Sequence, residues 1–221
     1  MLKIEFVILI VLFFLLPFEK SIAAEYLSEE NKILLEKAGS GDTDAQFKIA
    51  SAYDTGVGAP RDGSAAMNWY LMAAKGGIAE AQNSVGSGLQ AKEKYQEALV
   101  WYTKAAEQNH LVAINNLAYL FDQGLGVKQD RQKGFELYLK SANLGWPEAM
   151  WNIANMYGGG NIGDRDLYSA CIWSLRAKKF AEPGNERLNS ALKGIVPYLE
   201  KTLKSKKFKK CENEAEAWAP Q

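Results

Sequence analysis

The 221-residue sequence holds only two cysteines and one histidine. So few thiols exclude a disulfide scaffold or a zinc ribbon. A single His excludes a His-rich metal site and argues against a His-based catalytic centre. Charge of one sign is not in excess either, since 26 Lys and Arg balance 26 Asp and Glu. A dedicated nucleic-acid binder carries a basic surplus, so that class is set aside. After residue 16 there is no long apolar run, and a membrane span needs roughly 20 such residues. What is present is ordinary: 48% of residues are hydrophobic and 24% charged. That much apolar material offsets chain entropy and excludes wholesale disorder.

The first residues read as a targeting segment. Lys3 precedes the run FVILIVLFFLL at 6–16, Pro17 ends it, and Ser21-Ile22-Ala23-Ala24 supplies small residues. This is the order of a secretory signal peptide. Residues 1–23 are therefore expected to be removed, with cleavage after Ala23 or Ala24. The expected location is periplasmic or secreted, in a bacterial envelope, with no membrane span after cleavage. A retained N-terminal anchor is the rival reading.

The rest of the chain repeats itself. Ala45, Ala81, Ala113 and Ala149 begin similar segments at intervals of 36, 32 and 36 residues, a period that signals a stacked helical array. In each unit a first helix places small and apolar residues at spacings of three and four, as in Ala45, Ile49, Ala50 and Tyr53. Repeated Ala lets neighbouring helix axes approach closely. Gly56-x-Gly58 and Gly124-x-Gly126 follow, where a tight turn favours positive φ. Asp62, Asp130 and Asp166 recur at one offset and suit N-caps. A second helix then carries Trp69-Tyr70, Trp101-Tyr102, Leu137-Tyr138 and Trp173.

The string A-x-x-x-I/L-A/G-x-x-Y/F-x-x-G-x-G-V, then D, then W-x-x-x-A-A resembles the Sel-1-like repeat (SLR), over about residues 29–180. The resemblance implies an all-α fold: a right-handed α-solenoid of antiparallel helix pairs, related to tetratricopeptide repeats. The units fall at 45–80, 81–112, 113–148 and 149–180. The second lacks the glycine loop and its Asp, the third has Leu137 in place of Trp, and the fourth reads Gly158-Gly159-Gly160. Residues 24–44 are expected to form an N-terminal capping helix and 181–221 C-terminal capping helices, with Pro197 starting or kinking the last one.

No catalytic constellation stands out. His110 lies at a helix junction, where a surface or capping role suffices, and no nucleophile has a partnered base. The chain is read as a non-enzyme without catalytic residues, metal or cofactor. Its two cysteines, Cys171 and Cys211, could form a disulfide in an oxidising compartment, tying the cap to the last unit, or stay separate thiols. Charge is uneven: between 176 and 210 eleven basic residues meet Glu182, Glu186 and Glu200, a net +8, whereas 24–175 carries net −5. Lys204, Lys206, Lys207, Lys209 and Lys210 are either a basic dock for acidic protein or anionic headgroups, or a solvated face.

Stacked helix pairs offer an extended concave surface for binding. First-helix residues left over from packing are Phe47, Lys48, Ser51, Asn83, Ser84, Ser87, Asn115, Asn116, Tyr119, Trp151, Asn152 and Asn155. Their amides and aromatics suit a protein or peptide partner, although Phe47 and Trp151 could equally be packing residues. The resemblance implies an adaptor role, including that of an immunity protein against a secreted toxic effector. The alternatives are a cell-wall-related hydrolase, disfavoured because this chain lacks the paired cysteines of the related cysteine-rich repeats, and a structural component of an envelope machine. The identity of the partner and the oligomeric state have no sequence signal.

Overall fold

Residues 26–220 are described by a computed structural model, and among them the only regular secondary structure is helical. The expected signal peptide lies outside the described residues. The helices are α1 (Glu29–Gly39), α2 (Thr43–Thr55), α3 (Gly63–Lys75), α4 (Ala79–Ala91), α5 (Tyr95–Glu107), α6 (Leu111–Gln123), α7 (Arg131–Asn143), α8 (Pro147–Gly159), α9 (Leu167–Phe180) and α10 (Glu186–Glu216). The chain divides into two compact units, 1–85 and 86–221, with the boundary inside α4.

In the first unit α2 packs against both α1 and α3. The alanine periodicity becomes a buried seam of Ala38, Ala45, Ile49, Ala50, Ala66 and Ala73, with the Tyr53 and Tyr70 rings beside it. Two buried glutamines serve the helix ends. Gln46 Nε2 donates to the Ala38 carbonyl (3.1 Å) and Gln82 Nε2 to that of Ala74 (3.2 Å). Each takes up one of the carbonyls that a helix C-terminus leaves without a partner.

The Gly-x-Gly pairs have two different jobs. Gly56 and Gly124, at φ 80° and 71°, are left-handed C-caps of α2 and α6. Gly58 and Gly126 are left-handed too, at 66° and 69°, but they also lie against the N-terminus of a preceding helix. A Cβ on Gly58 would sit 2.7 Å from the Ser28 hydroxyl and the Asn31 amide, and one on Gly126 would sit 2.6 Å from the backbone at Tyr95 and Gln96. The Ser28 N–H donates to the Gly58 carbonyl at 2.8 Å. Asp62, Asp130 and Asp166 cap α3, α7 and α9, each accepting backbone N–H groups of the first turn at 2.9–3.1 Å.

The second unit is built the same way. Consecutive helices pack pairwise from α5 onward: α6 on α5 and α7, α8 on α7 and α9, α10 on α9. Tyr102, Tyr138 and Trp173 are buried, whereas Trp101 and Leu137 are only half-buried. Gly86 in α4 is buried against Tyr102, and a Cβ there would lie 2.7 Å from that ring. Leu188 and Leu192 of α10 close the core formed by Met150, Ile153 and Ala177.

Pro197 neither starts nor breaks the last helix. It sits inside α10 on an exposed stretch with Lys193, Gly194 and Tyr198, where it cannot donate to the Lys193 carbonyl. The interruption falls instead at Lys204, at φ 62° and ψ 158°. It divides α10 into limbs 186–203 and 205–216.

Candidate functional site

The expected binding residues separate into two groups. In the first unit Phe47 is half-buried, its ring 5.8 Å from that of Tyr70. It is therefore chiefly a packing residue. Ser51 and Ser84 both hydrogen-bond the Tyr70 hydroxyl, which partly offsets the rise that burial imposes on its pKa. Ser84 also donates to the Glu80 carbonyl (2.9 Å). Lys48 is exposed and Asn83 half-buried.

In the second unit the residues converge. Asn115, Asn116, Tyr119, Trp151, Asn152 and Asn155 line one groove of about 550 Å³. Helical spacing dictates this: positions i, i+1 and i+4 of α6 and of α8 share a face when the two helices lie side by side. Asn152 Nδ2 donates to Asn115 Oδ1 at 3.0 Å, linking the two helices. Tyr119 is 41% exposed, so its ring is open to a ligand. Trp151, half-buried, packs against the core that holds Met150 and Ile153 and also lines the groove.

A smaller recess of about 330 Å³ shares Gln90, Asn116 and Tyr119 with the groove and extends it to Ser87 and Tyr95. Its floor is the Tyr102 hydroxyl, which donates to Gln90 Oε1 (2.9 Å) and lies 3.2 Å from Ser87 Oγ. Burial pushes the Tyr102 phenol up, and hydrogen bonds with Ser87 and Asn116 pull the other way. The phenol stays neutral and fixes the amides around it.

The other wall was not anticipated. Asn185, Arg187, Leu188 and Ala191 of α10's first limb, together with Glu148 and Gln90, complete the groove. Asn185 Nδ2 donates to Glu148 Oε1 and so pins the start of α10 to α8, while Asn185 Oδ1 caps α10 at the Leu188 N–H (3.1 Å). Arg187 stands exposed at the rim. Asn185, Arg187, Leu188 and Ala191 lie outside the repeat pattern, whereas Gln90 and Glu148 lie within repeat units.

Cys171 and Cys211 are joined as a disulfide, their Cα atoms 6.3 Å apart, in a buried cluster with Leu199, Leu203 and Phe208. The end of the chain is held by aromatics. The Arg176 guanidinium lies over the rings of Trp173 (4.5 Å) and Trp218 (4.9 Å), and burial holds its pKa below the usual arginine range. His110 is the N-cap of α6, its Nδ1 accepting from the Ala113 N–H at 3.2 Å. Lys204, Lys206, Lys207, Lys209 and Lys210 are all exposed. Among the described residues no group of three or more His, Cys, Asp and Glu could hold a metal ion, and no helix is long and apolar enough to cross a membrane.

Comparison with known proteins agrees with this architecture. The Sel1 repeat family model matches residues 43–78, 79–110, 111–146 and 147–179. A sel1-like repeat-containing protein of Acanthamoeba polyphaga mimivirus is 24% identical over 64% of this chain, and chitin synthase regulatory factor 3 of Schizosaccharomyces pombe 29% over 54%. The chain spans only 26% and 14% of those two relatives' lengths. Among solved structures, a protective antigen of uropathogenic Escherichia coli with an SLR fold aligns at TM-score 0.74 and 26% identity, over 84% of this chain and 39% of its own. A Sel1 repeat protein of Oxalobacter formigenes aligns at 0.61 and 28%, over 76% and 70%. With the family model covering more than half of its residues, the chain belongs to the Sel1 repeat family and has the all-helical fold of an SLR solenoid.

Proposed function

We propose that the chain is an exported, non-enzymatic binding module that holds a segment of a partner protein in the groove lined by α6, α8 and α10. Sel1 repeats generally mediate protein–protein interaction, and the groove supplies the local chemistry for it. One observation carries the reading: five asparagines and two aromatics, from α6, α8 and the start of α10, line a single groove of about 550 Å³. An asparagine amide carries donors and acceptors that complement a peptide bond, and Asn155 presents its amide exposed in the groove. Trp151 and Tyr119 are the anchors, since buried aromatics dominate interface energies.

Export rests on the order of residues 1–24 and agrees with the cystine at 171 and 211, since such bonds persist in oxidising compartments. N-terminal sequencing of the protein recovered from cells tests it. A start at Ala24 or Glu25 supports export, and a start at Met1 in a soluble fraction contradicts it. An adaptor and an immunity protein would use the groove alike, and the partner's identity separates them.

The binding reading is tested by parallel affinity capture with the native chain and with Asn116→Ala/Trp151→Ala. A stoichiometric partner retained by the native chain and lost from the variant is expected. A partner retained equally by both contradicts the groove.

A further inference from the structure

The C-terminal limb of α10 has chemistry of its own. Phe208, Cys211 and Ala215 face the interior, and the disulfide to α9 fixes that orientation. The outer side of the limb and the turn before it are therefore basic: Lys201, Lys204, Lys206, Lys207, Lys209 and Lys210 are all exposed.

Three of the nearby acids are engaged, and Glu200, exposed beside Lys201, forms no ion pair among the described residues. Glu212 pairs with Lys209 at 3.1 Å, Glu214 with Lys210 at 3.7 Å, and Glu216 with Lys179 at 3.4 Å. Glu214 also accepts from the Tyr168 hydroxyl at 2.9 Å. Lys207 lies over the Tyr168 ring and helps hold the Asp166 carboxyl below its usual range. Among the described residues, no carboxylate stands within ion-pair distance of Lys201, Lys204 or Lys206. The break at Lys204 gathers these three where the two limbs meet. Tyr198, 44% exposed, stands one turn before Lys201.

We propose that this basic corner docks the protein on an anionic phospholipid surface, independently of the groove. None of Lys201, Lys204 and Lys206 lines the groove or its recess. A flat, laterally mobile field of phosphate headgroups can meet all of them at once, whereas a folded acidic protein must match their spread in shape. Clusters of about 4–8 basic residues on an amphipathic helix are drawn to anionic headgroups, and the six exposed lysines here fall in that range. An exposed tyrosine, apolar in body and polar at the tip, suits the headgroup level beside them.

The experiment is co-sedimentation of the full chain with phosphatidylglycerol vesicles and with phosphatidylcholine vesicles. An apolar leader binds both kinds alike, so the difference between them isolates the lysines. The native chain is expected to favour the anionic vesicles at low salt and to lose that preference as salt screens the charges. Each lysine contributes about fivefold at such a surface, so Lys201→Gln/Lys204→Gln/Lys206→Gln should weaken anionic binding by about a hundredfold. Trp151→Ala should leave it unchanged, which separates failure here from failure of the groove. Equal binding to the two lipids overturns the proposal, as does a correctly folded triple variant (by circular dichroism) that still favours phosphatidylglycerol. Binding of soluble polyglutamate with none to either vesicle also overturns it, in favour of an acidic protein partner.

Discussion

Consider the native protein with its Cys171–Cys211 bond intact and the same protein after reduction. The bond closes a loop of 40 residues. The loop-entropy relation assigns such a closure about 4 kcal/mol at 25 °C, and the calorimetric view would reapportion rather than abolish it. Set against a total of about 5–15 kcal/mol for a typical domain, that is a large share. The loss should be local, because in a stacked array each element contacts only its neighbours. The buried cluster of Leu199, Leu203 and Phe208 around the sulfurs is what would open. Reduction leaves both sulfurs in place, so no cavity term enters. The assay is hydrogen exchange read by mass spectrometry, with urea unfolding in parallel. On reduction, amides of 199–216 should lose protection equivalent to several kcal/mol, and those of 111–123 should change little. The urea midpoint should also fall. Identical protection and midpoints in the two redox states would refute the reasoning.

Three further outcomes are expected. Asp166→Ala removes a cap that serves the Tyr168 and Ser169 N–H groups and should cost about 1 kcal/mol, read as a lower urea midpoint. The Asp166 pKa is lowered, first by the Ser169 hydroxyl; its stabilisation is therefore complete above the ordinary aspartate pKa and is lost as pH falls through the lower folded value. The gap between native and variant should close on acidification, and a constant gap counts against it. Gly86→Ala should destabilise despite the gain of about 1 kcal/mol in helix propensity, since its Cβ would lie 2.7 Å from the buried Tyr102 ring; a raised melting temperature would contradict this. Gly126→Ala, at φ 69° with backbone 2.6 Å from the new Cβ, should lower the urea midpoint more than Gly56→Ala, at a similar φ of 80° but with its nearest atom 3.6 Å away. Equal effects would reject the close-approach argument.

The repeating body was legible because its signal is repeated. Ala45, Ala81, Ala113 and Ala149 announce the close helix contacts, and Asp62, Asp130 and Asp166 announce the caps. The second glycine of each pair was read only as a turn residue. Its other task, the approach of Gly58 to Ser28 and of Gly126 to Tyr95, joins positions far apart in sequence. The same limit hid half of the groove. Asn115, Asn116, Tyr119, Trp151, Asn152 and Asn155 share a helix face and could be named. Arg187, Leu188 and Ala191 enter only because α10 folds back, and α10 has no repeat to announce it. Pro197 is the expected start or kink of the last helix, yet it lies inside α10, and the residue with non-helical φ/ψ is Lys204. The interruption at Lys204 has no sequence signal we can name.

The central claim is that a partner protein lies in the groove of α6, α8 and α10. It is tested most directly by a photo-crosslinking residue placed at Asn155, exposed in the groove, or at Glu136, exposed on α7 outside it. The account predicts that irradiation in living cells gives one protein adduct from Asn155, lost with Trp151→Ala, and none from Glu136. The same adduct from both positions, or none from Asn155 where a partner co-purifies, would contradict it.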